Sequence, residues 1–169
     1  MPLVLNGTTG VQDNSGAFVA GTAVASTSGT SIDFTSIPSW VKRVTVMLSG
    51  VSTNGTSAQL VRLGTSGGIV SSGYVSTSAN QTGSTVTNST TGFLFNGNPA
   101  AASIQSGIIT IALLNNNVWV ATSVLTDSTS SLRYSAGDCT LSATLDRIRI
   151  TTVNGTDTFD SGSINILYE

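Results

Sequence analysis

The side chains that could do chemistry are few, and the most suggestive are two carboxylates near the carboxyl end. Asp157 and Asp160 lie three residues apart in "NGTDTFDSGS" (154–163). Paired acids can hydrolyse glycosides, and with carbonyl neighbours they can ligate Ca²⁺. Their Gly- and Ser-rich setting is also ordinary turn composition, in which carboxylates accept backbone hydrogen bonds. We therefore expect no catalytic residue here, while a bound Ca²⁺ stays an open alternative.

The other reactive residue types are scarce. The chain contains no histidine, which excludes Ser-His-Asp and Cys-His nucleophile systems and the usual zinc sites. The single cysteine, Cys139, has no cation beside it in the sequence, so it is expected to be a small buried hydrophobe. With six basic residues and a pI of about 4.7, the chain carries too little positive charge to bind the phosphate backbone of a nucleic acid. We expect a non-enzyme without cofactor or metal, and no nucleic-acid partner.

Composition indicates a folded β protein. Of 169 residues only 8% are charged and 39% are hydrophobic, and the chain contains 26 Ser and 26 Thr. Small hydroxyl side chains suit turns and strands better than helices. The longest apolar run, "GIITIALL" (107–114), has the length of a strand. We expect one domain, no signal peptide and no membrane insertion.

Apolar residues recur at every second position, as a half-buried strand requires because successive side chains face opposite sides. Three rows show it clearly: Val44, Val46 and Leu48; Ile109 and Ile111; Val118 and Val120. Between the last two rows "NNN" (115–117) indicates a hairpin turn. Weaker strand candidates are 31–35, 68–70, 92–95, 132–134 and 140–145. We predict an all-β, antiparallel β-sandwich of the jelly-roll kind over residues 26–169.

Two stretches lack this pattern. Residues 71–92 form the longest one and are predicted to be a loop. Residues 1–25 combine short apolar bursts with many Gly and Asn residues, which predicts an attachment segment that docks on another protein. Its expected contact residues are Leu3, Val4, Leu5 and Phe18.

Residues beside predicted loops are candidates for contact with a binding partner. The loops 72–91, 96–103 and 126–138 supply the candidate receptor contacts Tyr74, Asn80, Asn98 and Tyr134. Trp119 could pack between the sheets or at a subunit interface, and we assign it to the interface. Because an unpaired strand edge invites aggregation, the final strand is expected to be covered by another subunit. Its interface residues would be Ile164, Ile166 and Tyr168.

Three segments resemble the C-terminal domain found at the ends of bacteriophage tail fibres and related virion proteins. They are "IPSWVKRVTVMLSGVSTNGTS" (37–57), "TTGFLF" (90–95) and "LDRIRITTVNGTDTFDSGSINILYE" (145–169). A fourth, "LVLNGTTGV" (3–11), is similar to a stretch of fibre shafts and attachment regions. The resemblance implies a β-sandwich that assembles as a homotrimer on the surface of a virus particle, exposed to the host cell, with no catalytic residues.

The function expected from these observations is that of a phage virion structural protein, a short tail fibre whose β-sandwich head contacts a glycan or protein of the host surface. The N-terminal segment would bind other virion proteins of the baseplate, tail or capsid. Two alternatives remain open: a capsid decoration or cement protein that bridges coat subunits, and a carbohydrate-binding module of non-viral origin.

Overall fold

The computed structural model describes residues 5–6, 10–11, 18–83, 85–101, 103–128 and 131–169, which form strands, turns and loops without any helix. The first eight strands are β1 (Leu5–Asn6), β2 (Gly10–Val11), β3 (Val19–Ala20), β4 (Val24–Ala25), β5 (Ser31–Phe34), β6 (Arg43–Thr53), β7 (Gln59–Thr65) and β8 (Gly68–Ile69). The remaining eight are β9 (Tyr74–Asn80), β10 (Val86–Ser89), β11 (Phe93–Asn96), β12 (Gln105–Asn115), β13 (Val118–Asp127), β14 (Leu132–Thr140), β15 (Arg147–Thr152) and β16 (Phe159–Tyr168).

Two antiparallel sheets pack face to face. The nine-stranded sheet has the order β10-β9-β14-β13-β12-β6-β16-β3, with β4 also paired to β16. The five-stranded sheet has the order β11-β7-β15-β5, with β8 paired to β7, and β1 and β2 form a separate hairpin. The prediction of an all-β antiparallel sandwich is confirmed.

The core lies between the two sheets and is built from alternate residues of each strand. Val44, Val46 and Leu48 of β6 face Ile148 and Ile150 of the smaller sheet within this core, as their period-two spacing predicts. Large side chains fill the space between these rows. The largest fully buried ones are Trp119, Tyr74, Phe93, Phe95 and Phe159.

The final strand lies inside the nine-stranded sheet, which corrects the predicted interface. β16 pairs with β6 on one side and with β3 and β4 on the other, so both of its edges are paired within the chain. Ile164 and Ile166 are 0% and 3% exposed and point into the core. Tyr168 is half-buried against Trp40, with 5.9 Å between ring centroids. Ile164 and Ile166 therefore need no second subunit to cover them, whereas Tyr168 keeps part of its surface exposed, and its interface role stays a prediction.

The N-terminal part of the sandwich begins earlier than predicted. β3 and β4, which lie within residues 1–25, are strands of the nine-stranded sheet. Phe18, directly before β3, is 68% exposed, whereas Leu3 and Val4 lie outside the described residues. The backbone of Leu5 pairs with Val11 in the β1–β2 hairpin. The predicted boundary at residue 25 therefore has to move toward the N-terminus.

The predicted loop at 71–92 is wrong, because residues 74–80 and 86–89 form β9 and β10. Ser76 and Ser78 of β9 face the interior, where their hydroxyl groups accept hydrogen bonds from the backbone of Leu94 (2.9 Å) and Gly97 (3.3 Å). Serine therefore takes the place of the apolar residue that marks a buried strand position.

β14 is longer than predicted and occupies most of the predicted loop at 126–138. Its inward positions include Arg133 and Cys139, whereas Leu132 and Tyr134 point outward and are 44% and 51% exposed. The apolar residues thus lie on the solvent side, which inverts the usual pattern. The predicted strand at 140–145 is wrong beyond Thr140, where β14 ends.

Candidate contact surfaces

Tyr74, a predicted receptor contact, lies in the core. Its ring is 1% exposed and meets Phe93 edge to face, with 5.0 Å between centroids. The hydroxyl group accepts a hydrogen bond from the Leu63 amide (2.8 Å) and donates one to the Val70 carbonyl (3.1 Å). A side chain in this position cannot reach a ligand outside the sandwich, so Tyr74 is removed from the set of contact residues.

Asn80 and Asn98, two other predicted contacts, line one depression at the end of the sandwich. Thr85, Thr87 and Arg133 line it as well. Asn98 is exposed and Asn80 is half-buried. The depression is too narrow to enclose a water molecule. A ligand at this end would therefore lie across its rim, where amide and hydroxyl groups can form hydrogen bonds.

Three loops meet around this depression, those that follow β9, β11 and β13. Ser131, after β13, donates a hydrogen bond to the Asn80 side chain, and its hydroxyl lies 3.0 Å from that of Thr82. Thr87 donates a hydrogen bond to the Gly97 carbonyl (3.1 Å). The first two contacts join the segments that follow β9 and β13, and the third joins the segment after β11 to strand β10.

A buried ion pair lies beneath the same end. The Arg133 guanidinium donates to the Asp127 carboxylate from Nε (2.8 Å) and approaches it from a terminal nitrogen at 2.7 Å, with side chains 8% and 0% exposed. Asp127 also accepts a hydrogen bond from the Ser131 amide (3.3 Å). Sequence reasoning missed Arg133, although an arginine in an alternating strand could have indicated a buried ion pair. The pair neutralises itself, so the depression carries little net charge.

Tyr134, the fourth predicted contact, belongs to a different surface. It points out from β14 on the face of the nine-stranded sheet that turns away from the core, 51% exposed. A depression of about 390 Å³ lies beside it, lined by Thr77, Ala79, Thr122, Val124 and Ala136 among others.

Trp119, which was predicted to lie at a subunit interface, is 2% exposed on the inner face of β13. It packs between the sheets, and its assignment to a subunit interface is wrong.

Asp157, one of the two carboxylates near the carboxyl end, connects a pair of turns. Asp157 accepts hydrogen bonds from the Ser57 amide (2.9 Å) and the Asn154 side-chain amide (2.6 Å). Asn54 in turn accepts one from the Thr158 amide (2.9 Å). The two Asn-Gly-Thr turns, at 54–56 and 154–156, are thereby joined. We call this contact the turn clasp.

Asp160 has a separate role, because it accepts a hydrogen bond from Ser52 in the neighbouring strand β6. Both carboxylates are therefore engaged with the chain itself, and the structure gives no support to a shared Ca²⁺ site. Over the parts of the chain that the structure describes, no three acidic or cysteine residues come together as metal ligands would. In the same parts, no helix has the length and apolar character needed to cross a membrane.

Similarity to known proteins adds no further assignment. No family model matches this chain, and a search of curated proteins finds no relative.

Proposed function

We propose that this protein is a structural component of a bacteriophage particle, a short tail fibre protein whose β-sandwich contacts the host cell surface. The proposal rests on the resemblance of residues 37–57, 90–95 and 145–169 to tail-fibre C-terminal domains. One structural observation carries it further. Asn80 and Asn98, which are 18 positions apart in the sequence, line the same depression at the loop end of the sandwich.

The chemistry of this end suits a neutral, hydroxyl-rich ligand such as a surface glycan. Amide and hydroxyl groups at its rim can both donate and accept hydrogen bonds, as sugar hydroxyls require. Arg133, which lines the depression, is paired with Asp127. Single contacts of this kind are weak, and a homotrimer would strengthen them by presenting three at once. In this proposal the protein binds without catalysis.

Location on the particle is the first test. Gold-labelled antibody against this protein should mark the tails of intact phage in electron micrographs. Label spread over the shell would favour a capsid decoration protein over a tail fibre protein. Particles without label would contradict both hypotheses.

Binding to host cells is the second test. Purified protein should adsorb to host cells and reduce phage adsorption, and Asn98→Ala should weaken this competition. Asn115→Ala provides the matched control, because Asn115 is an exposed amide in the β12–β13 hairpin at the opposite end. Equal competition by the two variants would contradict a contact at the loop end.

A further inference from the structure

An apolar row crosses the outer face of the nine-stranded sheet. The strand registers place Val86, Ala79, Tyr134, Val124, Ile108 and Met47 side by side on β10, β9, β14, β13, β12 and β6. Four of these side chains are 50% to 60% exposed: Val86, Tyr134, Val124 and Ile108. We call these six residues the apolar row. Scattered exposed apolar residues are normal, but a continuous row over six strands marks an interaction surface.

The surface next to the row is recessed. Two positions along the strands, Thr77, Ala136, Thr122 and Thr110 form a parallel row of small side chains. The depression of about 390 Å³ follows this recessed row between Tyr134 and Thr122. The apolar row therefore forms a ridge, and the recessed row forms a groove beside it on the same face, about 7 Å away.

The low charge of this face limits the classes of partner that can bind it. In β6, β9, β12, β13 and β14, all fully described, the outward positions include two charged residues, Asp138 and Arg43, and Arg43 forms an ion pair with Glu169. Nucleic acid, a lipid headgroup or a charged peptide would find no set of countercharges here. A glycan would find mainly methyl groups and one phenol along the ridge. The partner has to be another uncharged, partly apolar surface, since only such a surface loses little solvation on contact.

The area agrees with a contact between proteins. Six strands about 4.8 Å apart and about nine residues long, at a rise of about 3.3 Å, cover roughly 700 Å². A stable interface of standard size buries roughly 800 Å² per partner. The face is thus large enough to hold two folded chains together.

We infer that this face binds a second copy of the same chain, with the apolar row of one copy in the recessed row of its neighbour. Every copy carries both the ridge and the groove, and neither surface opposes the approach of the other by charge. Because both rows lie side by side on one face, a two-fold axis places the apolar row of each copy in the recessed row of the other, so the contact is isologous and joins two copies. The inference adds an interface to the proposed virion protein and replaces the one predicted at Trp119, Ile164 and Ile166.

Sedimentation equilibrium of the purified full chain tests the inference. We expect the native protein to be oligomeric, Val124→Asp to raise the subunit dissociation constant at least about 100-fold through a buried, unpaired charge, and Ala136→Arg to do the same by filling the groove. Val153→Asp is the matched control, since Val153 is 45% exposed outside this face. Circular dichroism spectra should match the native protein for all three variants, because the substituted side chains are exposed and the fold is retained.

Two results would overturn the inference: a native protein that stays monomeric at high concentration, or face variants that associate as tightly as Val153→Asp. The second result would leave the proposed function intact, because oligomers would still form through another surface. Failure of the particle-labelling test, in contrast, would remove the virion assignment and leave the interface in place.

Discussion

At the scale of single residues, Tyr74 illustrates how a hydroxyl group can be held within an apolar core. Its phenol accepts a hydrogen bond from the Leu63 amide of β7 and donates one to the Val70 carbonyl, directly after β8, so it joins β9 to the smaller sheet. We expect Tyr74→Phe to lower the free energy of unfolding by about 1–3 kcal/mol, because the buried Leu63 amide loses its acceptor. Urea titration followed by circular dichroism measures the change.

Tyr134→Phe is the control for this prediction, since the Tyr134 side chain is half exposed on the outer face. Its loss of stability should remain within about 0.5 kcal/mol, as is usual for exposed positions. Equal effects of the two substitutions would show that the Tyr74 hydroxyl does not join the sheets.

Because Cys139 is buried, we expect the free energy of unfolding to decrease at alkaline pH. Burial raises the pKa of the Cys139 thiol, and burial also raises the pKa of the Tyr74 phenol. In the unfolded chain the thiol ionises near its ordinary pKa of about 8.5. Above this pH the unfolded chain releases a proton that the folded chain keeps, so stability is complete below about pH 8.5 and falls as the pH rises.

Urea midpoints between about pH 7 and pH 10 measure this fall. In Cys139→Ala the decline should begin later, near the ordinary tyrosine pKa of about 10, where the Tyr74 contribution starts. If the urea midpoints of the native protein and of Cys139→Ala fall in parallel as the pH rises, the pKa of the Cys139 thiol is not raised.

Two arginine–aspartate pairs allow burial to be compared directly. Arg133–Asp127 has side chains 8% and 0% exposed, and Arg149–Asp33 has side chains 37% and 36% exposed, each with a closest approach of 2.6 to 2.7 Å. We expect Arg133→Met to cost about 3–5 kcal/mol, because it removes the cation that compensates a buried carboxylate.

Arg149→Met should cost less than about 1 kcal/mol, because its pair is exposed to solvent and screened by salt. Chemical denaturation of both variants under the same conditions measures the difference. Similar losses would mean that the burial of the Arg133 pair is not what determines its contribution.

At the scale of elements, the turn clasp joins strands of different sheets. β6 leads into the turn at 54–56 and β15 into the turn at 154–156, and Asp157 connects the two. A Cβ atom added to Gly55 would overlap the Asp157 carboxylate. The clasp therefore requires a glycine in one turn and allows a carboxylate in the other.

A double-mutant cycle tests this requirement. Gly55→Ala should cost about 1–3 kcal/mol through overlap with Asp157, and Asp157→Ala about 1–2 kcal/mol through loss of its hydrogen bonds. Together they should cost less than the sum, because the overlap disappears when the carboxylate is removed. Additive losses in urea titrations would contradict the direct contact.

How well sequence predicts these elements depends on what fills the inward positions. β6, β12 and β15 were predictable because valine, leucine and isoleucine alternate along them at inward positions. β13 was predictable from alternation too, although its valines Val120 and Val124 point outward and Trp119 points inward. The Asn115–Asn117 turn was predictable too, and Asn116 and Asn117 have positive φ angles of 37° and 71°, which asparagine tolerates. β9 was not predictable, because serine fills its buried positions and its partners there are backbone groups of β11 and the following loop.

The candidate site was predictable only in part for a related reason. Asn80 and Asn98 were selected by their residue type and position next to turns, and the structure brings them together. Tyr74 and Trp119 were selected in the same way and are buried. Whether an aromatic residue near a strand end points inward depends on the register of strands far apart in sequence, and local pattern does not contain this register.

At the scale of the whole molecule, the position of β16 changes where an interface can be. The final strand is enclosed by β6, β3 and β4 of its own chain, so its edge is not available to a partner, whereas the outer face of the nine-stranded sheet is. The apolar row becomes visible only when six strands are aligned, since each strand contributes a single member. In the sequence these residues look like isolated exposed side chains.

Association through this face should respond to salt in a way that separates apolar from ionic contacts. Raising NaCl from about 0.05 M to about 0.5 M shortens the screening length severalfold and weakens interfaces that depend on exposed charge pairs. The outer face carries almost no charge, so the subunit dissociation constant should change by less than about threefold, and sodium sulfate should strengthen association by favouring apolar burial. Sedimentation equilibrium across both salt series measures these effects. A dissociation constant that rises about tenfold or more with NaCl would show that charged residues elsewhere on the chain hold the subunits together, because screening cannot weaken a contact between valine, isoleucine and alanine side chains.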